Sequence, residues 1–145
     1  MQAVSAGTRW MLRLDEGQDL HSALGDFAKT NNIRAASVLM GIGMLKSGTL
    51  GYWNGAEYQP RDIKEPHELL ALEGSIAEAD GVPSVHLHAT TADREHRSIG
   101  GHLLRGTVGV LAEIYLETFP GRVFGRPLNE SFGLRMLDLE PGPSS

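Results

Sequence analysis

Only one stretch of this chain has clear helical periodicity, and the remainder reads as extended runs separated by turn dipeptides. Leu20, Ala23, Leu24, Phe27 and Ala28 fall at i, i+3, i+4, i+7 and i+8, the spacing that puts apolar side chains on one helix face. Asp19 stands at the N-cap, where its carboxylate accepts from otherwise free N–H groups, and Asn31-Asn32 ends the segment. At most a short second helix is expected elsewhere. Extended runs are expected at Arg9–Leu14, Ala35–Met40, Lys46–Trp53, Glu68–Ile76, the stretch through His86, Thr107–Phe119 and Ser131–Leu139. Asn54-Gly55 is a two-residue hairpin signal leading to Tyr58, and Asp80-Gly81 and Pro120-Gly121 are further turns. Tight turns between such runs predict antiparallel pairing. The expected class is therefore α+β (α/β): a compact single domain with a central, largely antiparallel sheet of about seven strands and one main N-terminal helix. Residues 1–8 read as an N-terminal extension, 9–139 as the domain, 92–101 as a loop and 140–145 as a disordered tail.

Three histidines carry the chemistry. In Ser84-Val85-His86-Leu87-His88-Ala89-Thr90, apolar and polar residues alternate. Val85, Leu87 and Ala89 then face one way and both imidazoles the other. Two positions along a strand are roughly 6.6 Å apart, so both rings reach one ion about 2.0–2.1 Å from each nitrogen. His102, delivered by a turn at Gly100-Gly101, completes three neutral nitrogen donors. That set suits zinc and leaves a coordination position open. The glycines permit close backbone approach or positive φ. The same pattern also fits a polar, partly exposed sheet face. His21 in the helix, His67 after a proline and His96 in a charged run read as surface residues.

Composition narrows the function classes. The 145 residues include no cysteine, so disulfides and thiolate zinc sites are excluded. No apolar run reaches membrane-span length and the N-terminus lacks a basic-then-apolar leader, so a cytoplasmic location and no membrane partner are expected. Acids outnumber Lys plus Arg by 18 to 13, a net charge of −5, which argues against duplex DNA binding by this domain alone. Gly41-Ile42-Gly43 lacks the third glycine and following helix of a dinucleotide loop. Gly125-Arg126-Pro127 is preceded by Phe124 rather than the arginine an AT-hook needs, so it reads as a turn.

The ordered motifs Gly41-Ile42-Gly43-Met44-Leu45, Leu50-Gly51-Tyr52, Glu68–Gly74, Asp80-Gly81-Val82-Pro83, His86-Leu87-His88, Gly100-Gly101-His102-Leu103 and Glu113-Ile114 resemble the plants-and-prokaryotes conserved (PPC) domain from about Arg9 to Leu139. The resemblance implies a compact α/β fold with a central antiparallel sheet, a homotrimer, and in prokaryotic members a metal on the matching His86, His88 and His102. In plants the domain follows AT-hooks in DNA-binding proteins and supplies protein contacts and nuclear targeting. Here the segment matching the plant partner-binding stretch, Pro66–Leu70, departs from the plant pattern, as expected of a stand-alone prokaryotic-type member.

Three functions compete. One is a trimeric, divalent-metal (zinc) module with a regulatory or DNA-binding-associated role and a small-molecule ligand. A second is a metal-dependent hydrolase or lyase, in which three histidines lower the pKa of a bound water to about 7. Glu113, mid-strand among Leu111, Ala112 and Ile114, is then the candidate general base. The third is a structural oligomer whose histidines form interface hydrogen bonds.

Overall fold

The computed structural model describes residues 1–140. The expected tail at 141–145 lies outside the described residues. In chain order the elements are β1 (Gln2–Ala6), β2 (Arg9–Asp15), α1 (Leu20–Thr30), β3 (Ala36–Trp53), β4 (Tyr58–Ile63), β5 (His67–Ala79), β6 (Val82–Ala92), β7 (Ser98–Thr118), β8 (Leu128–Asn129) and β9 (Leu134–Arg135). Seven strands form one antiparallel sheet in the order β1-β2-β7-β6-β5-β3-β4. A further pairing of β7 with β3 returns that order on itself, so β7, β6, β5 and β3 make a closed circuit.

The core lies inside this curled sheet and under α1. Leu20 and Leu24 of α1 meet Leu12 and Leu14 of β2, Leu72 and Ile76 of β5, Leu87 of β6 and Ile114 and Leu116 of β7, all fully buried. Each such side chain contributes about 1.5–3 kcal/mol. Trp10 meets Phe27 edge to face at 5.0 Å. The helix starts where expected, with the Ser22 N–H donating to Asp19 Oδ1 at 2.9 Å. It ends at Asn31, whose N–H donates to Phe27 O at 3.1 Å.

Several expectations change. One eleven-residue helix against so many strands makes the class mostly β rather than α+β. Among the described residues no second helix forms, because hairpins join nearly all the strands. The two runs 35–40 and 46–53 are one strand, β3, which bends through register shifts instead of breaking. At one of these, Gly43 takes φ 146°, and a Cβ there would sit 2.2 Å from Leu111 O. The stretch 1–8 contains β1, paired along β2. The loop at 92–101 shortens to 93–97 because β7 begins at Ser98. The last run, 131–139, is not one strand: β8 and β9 form a two-residue ribbon around a turn closed by Gly133.

Turn chemistry explains two hairpins. Asp80 and Gly81 form a two-residue loop with φ of 52° and 79°, the doubly positive geometry that matches strand twist. The Asn54-Gly55 loop spans four residues rather than two, because Asn54 Oδ1 accepts from both Ala56 N and Glu57 N at 2.9 Å. That loop brings Tyr58 into register with Trp53.

Candidate metal centre

The three histidines meet on one face of the β6–β7 pair. His88 lies directly across from His102, and His86 is two residues back on the same side of β6. The opposite side sends Leu87 and Ala89 into the core, with Val85 packed partly against it. Ring centroids are 5.2 Å apart for His86–His88, 4.8 Å for His86–His102 and 5.3 Å for His88–His102. One ring nitrogen from each lies within 4.8 Å of the others.

Gly100 and Gly101 make this pairing possible in a way the sequence left open. They lie within β7, not in a turn. A Cβ on Gly101 would stand 2.9 Å from Gly51 O and one on Gly100 3.1 Å from Ala89 O. Space, not positive φ, selects glycine here.

The donor set fits a divalent cation. An ion about 2.0–2.1 Å from each nitrogen wants them roughly 3.3 Å apart, a closure within reach of imidazole rotation. Burial, reinforced by the Arg126 charge and the neighbouring histidines, lowers His86 to a pKa of about 4. Burial and the charges of His88, His21 and Arg126 lower His102 to about 4. Both rings are therefore neutral at pH 7, with lone pairs free for coordination. His102 Nδ1 is buried without a hydrogen-bond partner among the described residues, a polar atom whose burial calls for a partner.

Other residues complete the surroundings. Tyr58 stacks on His102 at 4.7 Å with planes 20° apart. Ser75 lies across from His86 and Glu73 across from His88 on β5. Arg126, only 6% exposed, donates from Nη2 to Ser75 Oγ at 2.5 Å. Its Nε is buried and unpartnered among the described residues, and burial pushes the guanidinium pKa down. His21 also departs from the surface reading: its Nδ1 is buried without a partner among the described residues, and burial lowers its pKa. His67 is buried as well, its Nδ1 3.0 Å from Thr91 Oγ1. His96 sits in the 93–97 turn with φ 61°.

Glu113 is not brought to the histidines. It lies eleven residues beyond His102 on β7, roughly 35 Å of strand path, between Arg13 and Ile42. Glu73 is the acid that pairing sets beside His88. Periodicity in 68–76 was the available signal for Glu73, but only the β5–β6 register makes it a neighbour. Arg126 gave no local signal, since its burial depends on backbone bonds from Arg126 N to Glu78 O and between Gly125 and Asp138.

Known proteins are similar to this chain in sequence and fold. The chain is 31% identical to a plant- and prokaryote-conserved (PPC) protein from Pyrococcus horikoshii, with a TM-score of 0.84 covering 94% of this chain and 93% of that one. A metal-containing protein from Archaeoglobus fulgidus is 30% identical, TM-score 0.83, over 92% and 94%. A candidate DNA-binding protein from Ralstonia eutropha JMP134 is 27% identical, TM-score 0.86, over 95% and 96%. Among curated relatives, the Bifunctional protein GlmU of a Synechococcus strain is 37% identical over 133 residues, 90% of this chain, which spans 20% of that relative's length. Among the described residues no helix is long and apolar enough to cross a membrane. The model of the Plants and Prokaryotes Conserved (PCC) domain matches residues 1–120, and with this sheet and these relatives the chain belongs to that domain family.

Proposed function

We propose that this domain is a zinc-binding, homotrimeric module with a regulatory, ligand-responsive role, its ion held by His86, His88 and His102. The observation that carries the reading is the convergence of three ring nitrogens within 4.8 Å on one sheet face. Three imidazole nitrogen donors favour zinc over hard cations that want oxygen. When bound, such an ion supplies a concentrated positive charge with a free position for a donor atom from a ligand. The protein's own part is to keep His86 and His102 unprotonated and to fix the ring of His102 against Tyr58. Occurrence of the match within a curated relative five times longer supports reading the domain as a module.

Exposed apolar side chains on paired strands support assembly: Met40 and Ile42 on β3 and Val110 on β7, 39%, 44% and 64% exposed. Val108, Ala112, Ile114 and Leu116 serve the chain's own core instead. A role beside DNA runs through partners rather than through this domain's own charge. Arg13, Arg34, Arg94, Arg97, Arg105 and Arg135 each pair with a carboxylate, which reduces the cationic surface open to phosphates.

The test is elemental analysis with light scattering on purified protein. One zinc per chain and a particle of three 15.7 kDa chains are expected. A zinc-free protein that takes up no zinc on titration, or a monomer at micromolar concentration, contradicts the corresponding half. Titration with AT-rich duplex at about 150 mM salt should give a Kd no tighter than roughly 10⁻⁶ M; nanomolar, sequence-selective binding would overturn the view of DNA.

A further inference from the structure

Arg126 is the one arginine among the described residues that is buried, and it stands without an acid. Its exposed counterparts Arg13, Arg34, Arg97, Arg105 and Arg135 all face carboxylates. Among the described residues the Arg126 side chain makes one hydrogen bond, to Ser75 Oγ, and its buried Nε has no partner. A buried charge is normally paired, so a guanidinium left in this state wants an anion that the described residues do not supply. It lines an open cleft of about 600 Å³ together with His86, His102 and Tyr58.

Among the described residues no Asp or Glu lines that cleft. Arg135 lines it too, but is already held by Asp80 Oδ2 at 2.5 Å and by the Arg126 carbonyl at 2.9 Å. An apolar part of the lining is built from Leu134, Met136 and Leu137, on the segment tied to Pro127 by the Met136 N–H. Met136 and Leu137 are 46% and 44% exposed, so apolar surface and a buried cation line the same cleft. A free inorganic anion has no use for that apolar surface.

We infer that this cleft binds a small organic carboxylate, its anionic group received by the Arg126 guanidinium and its apolar end lying against Leu134, Met136 and Leu137. The planar fork of arginine matches a carboxylate better than a lysine would. Ser75, directly across from His86, orients the fork from behind. The inference deepens the zinc reading and rests on it for one contact: an ion on the three histidines would add a second positive charge beside the cleft that His86 and His102 line.

The probe is butyrate, followed by ligand-observed NMR titration of zinc-loaded and zinc-free protein. Butyramide and inorganic phosphate are the parallel arms. Saturable butyrate binding is expected, with butyramide at least tenfold weaker because it carries no charge. Arg126→Gln should weaken butyrate at least tenfold while zinc stoichiometry stays at the wild-type value. Arg126→Met, which removes the buried charge and keeps the length, guards against a folding defect: it should melt no lower than wild type and also lose butyrate. Phosphate binding more tightly than butyrate, or butyrate affinity unchanged in both folded variants, would overturn the inference. Arg126-dependent butyrate binding in a protein that takes no zinc would remove the metal reading while keeping the anion site. Zinc on the histidines with no butyrate binding would remove the anion site alone.

Discussion

The two faces of β6 differ in chemistry although they share one backbone. One face sends Leu87 and Ala89 into an apolar core. The other carries His86 and His88 beside His102, and its cleft is lined by side chains with buried polar atoms that have no partner among the described residues: His102 Nδ1 and Arg126 Nε. The sheet thus separates stability from chemistry across the thickness of a strand. Unpaired polar atoms on a surface that pairs so many of its other charges mark the place where an external group belongs.

The contrast between the faces is largest at Leu87. Leu87→Ala removes a fully buried side chain and should cost about 2–5 kcal/mol in urea unfolding, with zinc binding kept in the folded fraction. His88→Ala, one position along on the exposed face, should change metal-free stability by no more than about 0.5 kcal/mol and still abolish stoichiometric zinc. Equal destabilisation by the two would erase the distinction between the faces.

Gly101→Ala probes the junction of the two faces. A methyl 2.9 Å from Gly51 O has to push β3 and β7 apart, at about 1–3 kcal/mol. It should also weaken zinc by displacing His102. An unchanged melting temperature and zinc affinity would show that the close approach of strands there has no consequence.

Acid sharpens the contrast further. His86 and His102 have folded pKa values of about 4 against an ordinary 6.5, so the unfolded chain binds more protons than the folded one between those limits. Their contribution to metal-free stability is present above about pH 6.5 and is lost as pH falls toward 4. Urea midpoints should decline across that window more steeply in wild type than in His86→Gln/His102→Gln. A parallel decline in both proteins would assign the effect to other groups. The smallest effect is reserved for Glu113→Gln, which should leave zinc affinity unchanged, given its distance along β7.

Much of the fold and site was legible in the sequence where local pattern decides. Helix spacing from Leu20 to Ala28, the Asp19 cap, the Asp80-Gly81 turn and the alternation around His86 each act through neighbours a few residues away. The glycines before His102 read as a turn allowing close approach or positive φ; they lie within β7, and the close approach of neighbouring strands is what requires them. What the sequence did not carry were properties created by distant partners. Arg126 read as part of a turn because its burial comes from backbone bonds that tie its segment to Glu78 and Asp138. His21 and His67 read as surface residues because sheet closure, not local composition, covers them. Continuity of β3 through Gly41 and Gly43 was hidden for the same reason: its bulges are set by β7.

The most direct test of the zinc site is anomalous diffraction at the zinc edge from crystals of the zinc-loaded protein. One peak per chain is expected, about 2.0–2.1 Å from a nitrogen of each of His86, His88 and His102, with at least one further ligand not supplied by these side chains. A peak on other residues, or full zinc occupancy surviving in the His86/His88/His102 triple alanine variant, would contradict it.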